Sequence, residues 1–158
     1  MATVLRHLKI RRRRRFLSIS ASVKQDTTVW TPSPITGVKP AAESLFNITI
    51  DVSSSPDVAT SYTRAGQYLQ LRLPDVAKPA FLAIASPPSL ATGNGVFEFL
   101  VKSVAGSTAE ILCGLGKGDF VELSPVMGKG FDLDQISPPE DYQSVFIFAT
   151  GSGIRLVF

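Results

Sequence analysis

Between Ile35 and Val101 the chain is cut into five short alternating or apolar stretches, each stopped by turn residues, and few architectures besides an antiparallel sheet accept that rhythm. Ile35–Val38 and Ser44–Val52 open the series. In the second, Phe46, Ile48, Ile50 and Val52 alternate with polar positions, as a half-buried strand requires, and Ser53, Ser54, Ser55, Pro56 and Asp57 stop it. Tyr68–Leu73 sets Tyr68, Gln70 and Arg72 on one face and Leu69, Leu71 and Leu73 on the other, and Pro74-Asp75 ends it. Phe81–Ala85 is a short apolar strand closed by Pro87-Pro88, and Val96–Val101 follows the turn residues Gly93, Asn94 and Gly95. The expected architecture is an antiparallel barrel or sandwich.

After Val101 the period changes. Thr108–Leu115 carries apolar residues at Ala109, Leu112 and Cys113 and ends in Gly114 and Gly116, which predicts one short helix across an open end of the sheet. Phe120–Leu123 returns to strand. Ser144–Thr150 is apolar on both faces, the pattern of a strand covered on two sides in a parallel sheet. Upstream, Pro32, Pro34, Gly37 and Pro40 keep the approach to the first strand extended.

Composition narrows the chemistry. With 44% apolar and 18% charged residues the chain is of folded, globular type, and no stretch of about 18 apolar residues exists to span a bilayer as a helix. The net charge of +3 is unevenly spread: residues 1–25 hold eight Lys or Arg and no acid, leaving eight basic against thirteen acidic residues in the rest, a net −5. A mildly acidic body has no electrostatic footprint for nucleic acid. The single histidine, His7, lies in the basic leader, so the body has no imidazole for a catalytic triad, a Cys-His pair or a zinc site. Cys113, the sole cysteine, forbids an internal disulfide and reads as a free buried thiol.

The leader, MATVLRHLKIRRRRRFLSISASVKQ, is Arg-rich, dotted with Ser18, Ser20 and Ser22, and lacks the apolar core of a secretory signal. That is the composition of an organelle transit peptide, with chloroplast (plastid) as the expected destination and mitochondrion the alternative; a nuclear-type basic patch and a solvated tail are the competing readings.

The order of motifs resembles the ferredoxin-NADP reductase-type flavoproteins, and within them a plant group of kiwifruit-type fruit-protein oxidoreductases. The segments that carry the resemblance, between about Ile35 and Ile154, are ITGVKPAAESLFNITIDV, RAGQYLQLRLP, IASPP, LCGLGKGDFVEL with SPVMGKGF after it, and FATGSGI. The resemblance implies a mainly β fold: a six-stranded antiparallel Greek-key barrel with one short helix, followed by an orphan first strand of an α/β nucleotide-binding domain. It implies FAD as cofactor and NAD(P)H as the source of hydride.

In the family an R-x-Y-S segment precedes IAS, where Arg meets the pyrophosphate, Tyr stacks on the flavin and Ser bonds its reactive nitrogen. The aligned residues here are Ala80, Leu82 and Ala83, so the resemblance implies weakly held FAD, with peptide groups around Ile84 on the ring edge and Leu82 against a ring face. Ile84 and Ser86 read either as these flavin contacts or as a buried strand and its cap. Gly106, Ser107 and Thr108 precede the short helix and read either as a pyrophosphate site or as a plain N-cap. Gly118-Asp119 and Gly128–Gly130 read as turn formers. Thr150, Gly151, Ser152 and Gly153 match the turn after the first strand of the nicotinamide domain, and the residues expected to continue that domain do not follow, so the nicotinamide site is expected to be incomplete.

The expected organisation is therefore residues 1–25 as transit peptide, 26–34 as linker, 35–140 as the FAD-binding barrel and 141–158 as the start of an NAD(P)-binding domain. The expected function is electron transfer between NAD(P)H and FAD, impaired in a chain of this extent, with flavin and a redox protein as partners and no nucleic acid or membrane span. The alternative is a non-catalytic β-barrel binding module. No catalytic side chain and no metal site is assigned.

Overall fold

The computed structural model describes residues 28–131 apart from 75 and 77, together with 141 and 144. Six antiparallel strands form one sheet: β1 (Thr31–Ala42), β2 (Leu45–Asp51), β3 (Tyr68–Arg72), β4 (Ala80–Ala83), β5 (Val96–Lys102) and β6 (Phe120–Leu123). Their order is β4-β3-β6-β1-β2-β5. The ends of this sheet meet just beyond β4: Ala85 N–H donates to the Glu98 carbonyl (2.7 Å) and Glu98 N–H donates to Ser86 Oγ (3.1 Å). These bonds close the sheet into the expected barrel.

The core follows from the period of two. Ile48, Ile50 and Val52 of the second strand and its exit point inward with Phe97, Phe99 and Val101 of β5, Leu69, Leu71 and Leu73 around β3, and Val121 and Leu123 of β6, all buried. Tyr68, Gln70 and Arg72 take the other face of β3, as the alternation predicts. On that face Arg72 Nε donates to Glu122 Oε2 at 2.6 Å, while its guanidinium carbon lies 4.4 Å from the centre of the Trp30 ring. The Arg72 hydrogen bond holds the Glu122 carboxyl below its usual range.

Three differences from the sequence reading have physical causes. First, β1 starts at Thr31, inside the stretch read as linker, and runs past Val38 to Ala42. Its first part pairs with β6 (Thr31↔Leu123 to Pro34↔Phe120) and its second with β2, so each part leaves one edge unpaired. Pro32 and Pro34, two residues apart, direct their missing N–H groups to the same edge, and a register shift at Ile35/Gly37 carries the strand from one partner to the other.

Second, three short helices are described rather than one. Residues Pro56–Ser61 (α1) and Pro88–Asn94 (α2) are helical, and each has proline in its first turn, where the missing N–H costs nothing. Those prolines read as strand stops and are also helix starts. Gly95 ends α2 in the left-handed region (φ 65°), with its N–H donating to the Ala91 carbonyl at 3.0 Å; a side chain there would meet Ser53 backbone at 2.7 Å. Third, α3 covers Thr108–Cys113 and stops at Gly114, short of Leu115. Cys113 is a free, buried thiol, and burial pushes its pKa up. No helix among the described residues is long and apolar enough to cross a membrane. The both-face apolar stretch Ser144–Thr150, expected as an orphan strand, lies outside the described residues except for Ser144.

Candidate functional site

The register of β3 and β4 builds an aromatic wall. Tyr68 pairs with Ala83, Leu69 with Leu82, and Gln70 with Phe81. Leu69 and Leu82 therefore turn inward together, and Tyr68, Phe81 and Ala83 share the outer face. Phe81 is diagonal to Tyr68, and their rings sit 6.1 Å apart at 54°. Phe81 is 64% exposed and Tyr68 37%, large values for apolar rings beside a concave surface.

That surface is a pocket of about 380 Å³ bounded by Gly66, Tyr68, Phe81, Leu82 and Ala83 on one side and by Val101 and Lys102 of β5 and Ala109 of α3 on the other. Ala83, the small partner of Tyr68, leaves room above the strand for a flat ligand. The resemblance placed Leu82 against a ring face; Leu82 bounds the pocket while packing mostly in the core, and Phe81 with Tyr68 supplies the outward rings.

Tyr68 is held from below. Its N–H donates to the Met127 carbonyl (3.1 Å) and its carbonyl accepts from Met127 N–H (2.7 Å). Gly128, at φ 86°, lies so close to the ring that an added Cβ would stand 2.8 Å from Tyr68 Cε1. The loop before Tyr68 is organised by Gln67, only 8% exposed: its Oε1 accepts from Thr63 N–H (2.8 Å) and Arg64 N–H (3.0 Å), and its Nε2 donates to the Gly128 carbonyl (2.9 Å). Phe131 N–H donates to the Ala65 carbonyl at 2.7 Å. The segments RAGQY and SPVMGKGF, far apart in the chain, thus form one frame behind the pocket.

Apart from Leu82, none of the expected cofactor-binding residues among those described lines this pocket. Ile84 is buried, and its N–H donates to the Gln67 carbonyl at 3.1 Å. Ser86 is buried too; its Oγ accepts from Glu98 N–H and its carbonyl accepts from the Tyr62 hydroxyl at 2.6 Å. Burial pushes the Tyr62 pKa up to about 12, so this hydroxyl remains a donor across the ordinary pH range.

At the start of α3, Gly106 takes a positive φ and Ser107 is the N-cap, its Oγ accepting from Glu110 N–H at 3.3 Å and donating to the Val104 carbonyl at 2.6 Å. The Glu110 carboxylate reaches back to accept from Gly106 N–H at 2.7 Å. A carboxylate of the chain itself therefore sits where a pyrophosphate was expected. Thr108 opens the helix. Thr150, Gly151, Ser152 and Gly153 lie outside the described residues.

A mainly apolar pocket whose lining includes two side chains with polar ends, Tyr68 and Lys102, suits a planar aromatic ligand. It fits the ring of a flavin. It fits the diphosphate poorly: Ala80 offers no guanidinium, and at the start of α3 the Glu110 carboxylate takes the Gly106 N–H while Ser107 is bonded to Val104. Among the described residues no group of three or more His, Cys, Asp or Glu is placed to hold a metal ion.

The six-stranded order and its closure are consistent with the barrel fold of ferredoxin-NADP reductase-like FAD-binding domains, and solved structures bear out the fold. A ferredoxin NADP+ reductase from Neisseria gonorrhoeae with bound FAD and NADP superposes at a TM-score of 0.50 with 19% identity, over 63% of this chain and 38% of that one. A cytochrome P450 reductase from Amycolatopsis gives 0.53 with 21% identity over 73% and 32%. The cytochrome b5 reductase domain of Ulva prolifera nitrate reductase gives 0.51 with 15% identity over 63% and 40%. In sequence, the chain is 46% identical over 164 residues to the fruit protein pKIWI502 of Actinidia deliciosa, covering 95% of this chain and 52% of the relative. The chain thus spans about half the length of the curated relative that it matches. No family model matches the chain.

Proposed function

We propose that this chain is the flavin-binding part of an oxidoreductase that uses NAD(P)H, and that it holds the flavin by its ring in the Tyr68–Phe81 pocket. The observation that carries the reading is the exposed aromatic pair on the outer face of β3 and β4, framing a concave, mainly apolar surface on a barrel of this fold. The chemistry supplied by a bound flavin is acceptance of hydride from a reduced nicotinamide and onward passage of electrons to a redox partner protein. The residues of this chain bind and orient. Tyr68 and Phe81 pack on the ring, Ala83 gives it clearance, and Gln67 with Gly128 fixes the angle of Tyr68. Ile84 and Ser86 contribute at one remove: Ile84 ties the end of β4 to Gln67 before β3, and Ser86 ties it to Glu98 of β5. Contacts to the nicotinamide are assigned to Thr150, Gly151, Ser152 and Gly153.

Titrating the full-length chain into riboflavin is expected to quench flavin fluorescence saturably, with micromolar rather than nanomolar affinity. Phe81→Ser is expected to weaken binding about tenfold, since a lost aromatic contact is worth about 0.5–1.5 kcal/mol beyond the area it buries. Phe81 is an exposed side chain, so circular dichroism should show an unchanged fold. Absence of any flavin uptake by the unmodified chain would overturn the reading in favour of a non-catalytic binding barrel.

The leader belongs to the same proposal: residues 1–25 direct import into a plastid. A fluorescent fusion of the full chain should enter plastids, and deletion of residues 1–25 should leave it in the cytosol. A full-length fusion that remains cytosolic would remove targeting from the account.

A further inference from the structure

Granted that the pocket takes a flavin ring, the chemistry around it bears on which flavin. We infer that the preferred ligand is flavin mononucleotide, a ring carrying one phosphate, with Lys102 as the phosphate partner. Three observations converge on this.

The first is charge. Of the residues that line the pocket, Lys102 is the charged one. It stands at the end of β5, paired in register with Leu45, across the pocket from the aromatic wall. One ammonium complements one phosphate monoester.

The second is the fate of the second phosphate. A diphosphate needs donors or cations beyond Lys102, and the two places expected to give them offer no cation and, of Gly106, Ser107 and Thr108, leave only Thr108 with donors outside the helix start's own bonds. Ala80 is a methyl group. At the start of α3 the Gly106 N–H is already bonded to Glu110 Oε2, and the Ser107 hydroxyl is engaged both as donor and as acceptor. A diphosphate laid there would face the Glu110 carboxylate, so like charge is added to the shortage of donors.

The third is size. A volume of about 380 Å³ falls at the low end of the range for ligand pockets, roughly 300–1,000 Å³. It suffices for a three-ring system, and the walls described provide no second aromatic platform for an adenine.

Isothermal titration of the full-length chain with riboflavin, flavin mononucleotide and FAD at low ionic strength separates the possibilities. Flavin mononucleotide should bind about tenfold more tightly than riboflavin, and FAD no more tightly than flavin mononucleotide. Raising the salt concentration should shrink the preference for the phosphorylated ligand. Lys102→Met should bring the ratio of the two affinities close to one, and Lys102→Arg should preserve it. Equal binding of riboflavin and flavin mononucleotide by the unmodified chain would overturn the assignment of Lys102 while leaving the ring site standing. FAD binding ten times tighter than flavin mononucleotide would overturn the mononucleotide preference. Failure of riboflavin itself to bind would instead overturn the ring site, and this inference with it.

Discussion

Replacing Phe97 by alanine is expected to lower the unfolding free energy by about 3–5 kcal/mol, as the removal of a large buried ring does in other cores. Phe97 is fully buried near the start of β5, where it pairs with Ile50. Its ring meets Tyr62 edge-on at 5.7 Å and 90°, and Phe99 at 6.3 Å and 87°. The spread in such costs reflects how far a site can collapse, and this one is poorly placed to do so. Tyr62 is tied by its hydroxyl to the Ser86 carbonyl, and β5 is held along its length by β2. A cavity at Phe97 therefore persists unless the Tyr62–Ser86 bond breaks, and that bond lies beside the β4–β5 closure. The check is chemical denaturation followed by circular dichroism. A loss below about 1.5 kcal/mol, the range of well-tolerated core swaps, would show that the α1–α2 side of the barrel repacks freely.

How far the sequence reached depended on whether a signal was local. The inward faces of β2, β3 and β5 were legible because alternation reports burial directly: Ile48, Ile50, Leu69, Leu71, Phe97 and Phe99 all point inward as the pattern requires. The ends of the elements were less legible, since proline both stops a strand and starts a helix. Nothing near Pro56 or Pro88 separates the two outcomes until the packing of Val58, Ala59 and Ala91 onto the core is known. The site was legible in part. Tyr68 was on the outer face from its own strand's alternation, whereas Phe81 became its neighbour only through the β3–β4 register, which is a property of the pairing and not of either strand. The occupied start of α3 did have a local signature: Ser107 followed three residues later by Glu110 is the capping-box pattern, which marks a helix start that satisfies itself. The role of Gln67 was hidden because its partners are backbone groups, one of them on Gly128.

That hidden role makes Gln67 the second position at which a single substitution should have a large effect. Leucine at this site keeps the volume but leaves the N–H groups of Thr63 and Arg64 and the Gly128 carbonyl without their present partner. Unsatisfied buried polar groups cost about 1–3 kcal/mol each, and solvent reaches part of this loop, so Gln67→Leu is expected to cost about 2–5 kcal/mol in all. The damage should also reach the pocket, because Gly66 and Tyr68 flank Gln67 and both line it. Riboflavin affinity should therefore fall in a variant that still folds at low temperature. Gln67→Glu separates lost packing from lost hydrogen bonding. A carboxylate still accepts from the Thr63 and Arg64 N–H groups, but it has nothing to donate to the Gly128 carbonyl that now sits 2.9 Å from Gln67 Nε2. Protonation restores a donor, so the acid form is favoured in the folded state and the carboxyl pKa there is raised above its unfolded value. Stability relative to the unmodified chain should accordingly be recovered as pH falls through that raised value and lost as pH rises above it. A Gln67→Glu variant whose stability deficit is the same at pH 4.5 and pH 7.5 would show that the Gly128 bond does not hold this frame together.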